Sequence, residues 1–139
     1  MFIIPKGTGD YYLYFLRLKH GYFYVGITKD LRRRIWQHCG HEGSGMTRRH
    51  QPLELIAAWY LGDMSYEEAE YIEDEFTLYF MKNYSRRVRG GKWCKERIGV
   101  KKILKRNPAY CPCNLYELVS HNINLSGKWE HLPIEGIRE

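Results

Sequence analysis

The sequence predicts an α/β domain of the α+β type: a small antiparallel sheet of about three strands flanked by helices. Three observations carry this. Two runs rich in aromatic and branched residues, Tyr11 to Leu18 and Tyr22 to Ile27, are separated only by Lys19-His20-Gly21, a short hairpin loop. A third apolar run, Leu53 to Tyr60, suits a strand buried on both faces, either central in the sheet or packed under a helix. Ser65-Tyr66-Glu67-Glu68 then forms a capping box, in which hydroxyl and carboxylate satisfy the first free backbone donors of a helix.

Taken in order, the first two strands pair antiparallel. Thr28 is the expected N-cap of the next helix, with Asp30 in its first turn; Leu31, Arg34, Ile35 and His38 recur at helical spacing until Gly40 ends the run. A guanidinium and an imidazole one turn apart on the inward face must be desolvated, and unpartnered buried polar groups cost free energy, so this pair is expected to hold an anion. His41 to Arg49, with Gly43, Ser44 and Gly45, shows no periodicity and reads as a flexible basic loop. Pro52 starts the third strand and Gly62-Asp63 closes it. In the long helix that follows, Ala69, Ile72, Phe76 and Phe80 form an apolar stripe; Glu73 lies inside it, whereas Glu68, Asp74 and Glu75 point further away. After Asn83 come Tyr84 to Arg89, a Gly90-Gly91 break, and Trp93 to Arg106, a basic helix stopped by Pro108. Cys111-Pro112-Cys113 is a turn, and Leu115 to Glu139, with Trp129 and a turn at Ser126-Gly127, is a tail expected to pack back on the domain.

A chain of 139 residues supports one compact domain that buries a core without disulfide or metal help. No run of about 18 apolar residues and no leader-like or lipidation pattern is present, which predicts a soluble, cytoplasmic protein with no membrane partner. Cys39, Cys94, Cys111 and Cys113 are irregularly placed, as reduced thiols are. Cys94, Cys111 and Cys113 with a histidine such as His41 or His121 form a conceivable zinc set, but the C-x-C spacing lacks paired C-x-x-C knuckles and argues against structural zinc.

The net charge of +6 is segregated along the chain. Gln51 to Met81 contains no Lys or Arg, while Lys82 to Arg106 sets eleven of them against Glu96 alone. With Arg32-Arg33-Arg34 and Arg48-Arg49, this is the electrostatic footprint of a phosphate-backbone binder. Arg33, Arg48, Arg49, Arg87, Arg89, Lys92, Lys101, Lys102 and Lys105 are the expected backbone contacts, with Trp93 or Tyr84 available to stack on an exposed base. A set of solvated helix faces explains either tract alone; two tracts around one acidic helix favour nucleic acid.

The order hairpin, helix, strand, helix carries residues that resemble the GIY-YIG nuclease superfamily, of the short stand-alone bacterial and phage type. Tyr12-Leu13-Tyr14 stands where that family has its first tripeptide and Tyr24-Val25-Gly26 where it has its second. Arg34 lies at the family's spacing beyond the second tyrosine, His38 follows by one turn, and Glu73 falls in the helix that carries the family's metal-binding glutamate. The resemblance covers roughly Tyr11 to Arg89 and divides the chain into a nuclease domain, 1–89, and a basic helix with tail, 90–139. The sequence departs from the pattern at Tyr12, in place of a glycine, and at Ile27, where several members carry a lysine.

The resemblance implies metal-dependent endonucleolytic cleavage of DNA, including single-stranded or branched DNA, leaving a 3′ hydroxyl and a 5′ phosphate. The catalytic residues would be Tyr14, Tyr24, Arg34, His38 and Glu73. Glu73 would hold one Mg²⁺ or Mn²⁺ through a single carboxylate, with waters and phosphate oxygens completing the shell. Arg34 would grip the scissile phosphate with its planar fork. A tyrosine pKa near 10 must fall before the phenol can act as a base at neutrality, whereas a histidine needs no large shift. Tyr24 and His38 are therefore both candidates for the attacking water's partner, and Tyr14 for a phosphate or water positioner. Taken singly, these residues read as cross-strand aromatics, a satisfied core histidine and an Arg34–Glu73 ion pair. A catalytically inactive nucleic-acid-binding module and an RNA-directed nuclease are the alternative functions. No base-reading motif is present, so specificity is expected to be weak, structure-based or supplied by a partner.

Overall fold

The computed structural model describes residues 10–40, 42–110 and, as backbone, 119–124. Its elements in order are β1 (Asp10–Leu18), a 3₁₀ turn (Lys19–Gly21), β2 (Phe23–Thr28), α1 (Leu31–Cys39), α2 (Gly45–Arg49), β3 (Pro52–Asp63), α3 (Tyr66–Asn83), β4 (Val88–Gly90), α4 (Val100–Arg106) and β5 (Val119–Asn124). The expected hairpin forms around His20, which takes the left-handed conformation at φ 66°. The sheet is larger than the three antiparallel strands expected: five strands lie in the order β4-β2-β1-β3-β5, and β4 joins β2 in parallel.

β1 is central, flanked antiparallel by β2 and β3, and its alternation divides the core. Tyr12, Tyr14, Leu16 and Leu18 face one side with Tyr24, where Leu31 and Ile35 of α1 and Met46 of α2 cover them. Leu13 and Phe15 face the other with Val25 and Trp59, under Phe76 and Met81 of α3. A strand buried on both faces explains why its sequence is almost continuously apolar and aromatic.

Several elements differ from the sequence reading. Asp30 and not Thr28 caps α1, its carboxylate accepting the Arg33 N–H at 3.1 Å, while the Thr28 hydroxyl accepts the Asp30 N–H at 3.0 Å. The stretch read as a flexible loop contains α2, capped by the Ser44 hydroxyl. β3 runs on through Gly62 and Asp63, with a shift of register opposite Tyr11 and Tyr12 that accommodates Gly62 at φ +94°. Ser65 caps α3 as expected, accepting the Glu68 N–H at 3.1 Å.

The helix expected over Trp93 to Arg106 forms only from Val100. Upstream, the carbonyls of Lys95 and Glu96 accept hydrogen bonds at 2.9 Å from the Arg89 guanidinium, so they do not enter a helical ladder. Ile98, Val100 and Leu104 pack on the α3 side of the core, leaving Lys101, Lys102, Lys105 and Arg106 exposed. Among the described residues no helix is long and apolar enough to cross a membrane. Cys111, Cys113, Trp129 and the Ser126-Gly127 turn lie outside the described residues. Of the tail, β5 pairs antiparallel with β3.

Candidate active site

Strand geometry places the tyrosines first. Tyr14 and Tyr24 point to the α1 side of the sheet, with ring centroids 6.3 Å apart. Tyr14 stands opposite Gly26 across the β1–β2 pair, and its ring lies over that glycine so closely that a Cβ there would collide with Cζ and the hydroxyl. The last residue of Tyr24-Val25-Gly26 is thus fixed by the first tyrosine's need for space.

His38 meets both rings edge-on, with centroids 5.6 Å from Tyr14 and 5.2 Å from Tyr24. It is fully buried, and both ring nitrogens are engaged: Nε2 lies 2.6 Å from the Tyr14 hydroxyl and Nδ1 2.7 Å from the Thr47 hydroxyl. This corrects two expectations. Burial, reinforced by the Arg34 charge, pulls the His38 pKa down to about 3, so a large shift does occur. With both nitrogens occupied behind Tyr14, His38 also does not face an attacking water.

Arg34, one turn earlier on α1, is half-buried; its Nη1 donates to Gln37 Oε1 at 3.1 Å. Burial raises the Tyr14 pKa well above 10, and the Tyr24 charge adds to this, while Arg34 opposes both through its charge and a hydrogen bond to the Tyr14 hydroxyl. Burial raises Tyr24 as well, opposed by a hydrogen bond with Ser44 and by the Arg34 charge. Neither phenol is ionised at neutrality in the metal-free protein.

Glu73 approaches from α3, on the opposite side of the sheet, and is half-buried. Burial and the neighbouring Asp74 push its pKa up to about 7, against the Ile27 backbone N–H, which donates to it, and Arg34. Glu73 and Arg34 each bear on both tyrosines, so the four groups share one electrostatic site. No Arg34–Glu73 ion pair forms among the described salt bridges. Asp74 does not point away as expected: it is buried, and its carboxylate accepts the Lys92 N–H at 2.9 Å. The Asn83 side chain donates to Tyr79 O within its own helix.

Glu73 is thus the α3 carboxylate whose charge bears on both tyrosines. Among the described residues no three His, Cys, Asp or Glu side chains gather as a metal cage. One half-buried carboxylate with its charge disfavoured suits a hydrated, phosphate-bridged Mg²⁺, and does not suit a fully protein-ligated ion.

The basic residues divide. Arg33, Arg48, Arg49, Arg87, Lys92, Lys101, Lys102 and Lys105 are exposed, although Arg49 pairs with Glu96 at 3.2 Å and Arg87 donates to His20 O while covering the Tyr22 ring. Arg89 is a correction to the expected phosphate contacts. It is buried and donates to the carbonyls of Arg86, Val88, Lys95 and Glu96 at 2.8–2.9 Å, leaving no fork for a ligand. Sequence reasoning passed over Thr47 and read Ser44 as part of a loop: serine is an N-cap residue type, but no Glu or Gln stands three residues on to mark a helix start.

The GIY-YIG catalytic domain model matches residues 10–89 of this chain. The chain belongs to the GIY-YIG family. It is thereby a member of a nuclease family, and its two tyrosine tripeptides, Arg34 and Glu73 lie within the matched stretch. Among curated proteins it is similar to UPF0213 proteins. The match is 40% identical over 50 residues with that of Halalkalibacterium halodurans, covering 36% of this chain and 53% of the relative. It is 42% identical over 53 residues with that of Photorhabdus laumondii, covering 38% and 51%. With that of Streptococcus pneumoniae it is 41% identical over 58 residues, covering 42% and 57%. The chain thus spans about half the length of the curated relatives it matches. No solved structure matches it.

Proposed function

We propose that this GIY-YIG protein is a metal-dependent endonuclease that hydrolyses DNA phosphodiester bonds with weak or structure-based specificity, including in single-stranded or branched DNA. The observation that carries this reading is the meeting of Tyr14, Tyr24, Arg34 and Glu73, drawn from both sides of the sheet, at one electrostatically coupled site. A fold needs no such meeting. Burial and the neighbouring Asp74 hold Glu73 against its own ionisation, and a desolvated carboxylate is a group that a cation relieves.

Glu73 would hold one Mg²⁺ or Mn²⁺, which when bound supplies positive charge to the leaving 3′ oxygen. Arg34, steadied by Tyr14 and Gln37, presents its fork to the scissile phosphate and offsets the charge developing on the non-bridging oxygens. Tyr24, slightly more exposed than Tyr14 at 7% against 1%, orients the attacking water by hydrogen bonding. Tyr14 anchors Arg34 and is itself held by the 2.6 Å contact between its hydroxyl and His38 Nε2. Arg33, Arg48, Arg49 and the exposed lysines of α4 supply phosphate-backbone contacts.

The test is a cleavage panel of single-stranded DNA, branched DNA and single-stranded RNA, each with Mg²⁺, Mn²⁺ or EDTA, run with wild type and Glu73→Gln. The expected result is DNA cleavage that needs the metal and is lost in the variant while DNA binding persists. Binding with no metal-dependent cleavage of any substrate would make the chain a silent binding module, and preferential cutting of RNA would reassign the substrate. A variant cutting at a rate close to wild type would remove Glu73 from the metal's ligands.

A further inference from the structure

The proposed chemistry does not use Thr47, although α2 seats it in the core with no exposure and with its hydroxyl on His38. Its hydrogen bonds define a direction. The Thr47 hydroxyl lies 3.2 Å from the backbone carbonyl of Ser44, an atom that can only accept. With the hydroxyl's one proton on that carbonyl, which also accepts the Arg48 N–H at 3.0 Å, the hydroxyl is an acceptor toward His38 and Nδ1 carries the imidazole hydrogen. A neutral imidazole has one N–H, and burial keeps His38 neutral. In that arrangement Nε2 is bare and accepts the Tyr14 O–H across 2.6 Å.

We infer that Thr47 is a positioning residue: by holding His38 in its Nδ1–H tautomer it makes Tyr14 an acceptor toward the active site, with its lone pairs turned to Arg34 and to substrate-side donors. The inference rests on the nuclease reading for its catalytic consequence, but not for the tautomer itself. In the opposite tautomer, an Nε2–H and the Arg34 N–H would both aim at the Tyr14 oxygen, and the Tyr14 proton would turn into the site, where it would compete with Arg34 for phosphate oxygens. The same short helix reaches the second tyrosine, since Ser44 caps α2 and hydrogen-bonds Tyr24. Gly43 allows the close fit, because a Cβ there would overlap both His38 Nδ1 and the Thr47 hydroxyl.

The experiment has two arms. Long-range ¹H–¹⁵N spectra of the imidazole in the metal-free, DNA-free full chain at pH 7 report the His38 tautomer directly. The Nδ1–H form is expected in wild type and in Thr47→Ser, and a loss of that preference in Thr47→Val, which keeps the side-chain shape without the hydroxyl. In the second arm, kcat for metal-dependent cleavage should fall about 10- to 100-fold in Thr47→Val, with KM little changed, and recover in Thr47→Ser. An Nε2–H wild-type spectrum overturns the inference whatever the activity, and still decides if Thr47→Val fails to fold. A folded Thr47→Val that keeps either the Nδ1–H form or full turnover also overturns it. If the spectra follow expectation but wild type cleaves nothing, the nuclease reading fails and the hydrogen-bond chain stands.

Discussion

Replacing Glu73 with glutamine should stabilise the metal-free protein, and by an amount that depends on pH in a defined direction. The carboxyl's pKa is pushed from 4.5 to about 7, chiefly by burial. A raised folded-state pKa means that the fold favours the protonated acid. The associated stability is fully present below the unfolded value and is lost as pH rises through the folded one. At 1.36 kcal/mol per pKa unit, ionising Glu73 in the folded chain costs about 3 kcal/mol, reduced to about 2 for the part of the side chain that water still screens. Glutamine keeps an oxygen for the Ile27 N–H and never ionises. Its stability relative to wild type should therefore be pH-independent below about pH 4.5, climb by about 2–3 kcal/mol up to pH 7, and level off above. Urea unfolding in EDTA at pH 4, 5.5 and 8 measures this directly. A cation site makes a second demand: at pH 8, millimolar Mg²⁺ should raise wild-type stability and leave the variant unmoved. If the difference between the two proteins is the same at pH 4 and pH 8, Glu73 is not desolvated, and the argument that it awaits a cation fails.

Three further outcomes follow from the site and its surroundings. Arg34→Lys, like Arg34→Ala, should lose about two orders of magnitude or more in cleavage rate, since an ammonium cannot reproduce the fork between phosphate, Tyr14 and Gln37; near-normal turnover would reduce Arg34 to bulk positive potential. Gly26→Ala drives a methyl into the Tyr14 ring, which is 1% exposed and tied to His38, so it should cost about 1–3 kcal/mol in thermal or urea unfolding and remove most activity. An unchanged melting temperature would show that the ring can move aside. Reversing Lys101, Lys102 and Lys105 to Glu should weaken DNA binding and flatten its dependence on salt by about one log-log unit per lost contact, with cleavage at saturating DNA changed much less; anisotropy at several salt concentrations reads this, and an unchanged slope would take α4 out of the interface.

The parts of the fold that were legible in the sequence are those whose signal is local. The paired aromatic strands, the α1 stripe with Arg34 and His38, and the Ser65 capping box declare themselves within a few residues. The missed parts depend on distant partners. Val88–Gly90 has no strand signature of its own; it becomes a strand because β2 offers a free edge and Arg89 finds four carbonyls. Arg89 reads as one more cation in a basic run because nothing in its neighbours announces those carbonyls. Asp74 looked outward from helical spacing alone, yet the turn after β4 brings the Lys92 N–H to it. For the site, periodicity turned Arg34 and His38 inward but could not reveal that His38 sits behind Tyr14, since that depends on α2, too short for any periodic pattern.

Arg89 also separates the unit that similarity recognises from the unit that stands up by itself. The family match ends at residue 89, but this buried guanidinium is satisfied partly from beyond that point, by Lys95 and Glu96. A chain cut just after β4 would retain every proposed catalytic group and still strand a cation in the protein interior, a defect of about 3–5 kcal/mol, comparable to the whole stability of a small domain. The loop after β4 thus works as a keystone: it carries no proposed chemistry, yet the smallest autonomous catalytic fragment has to include it.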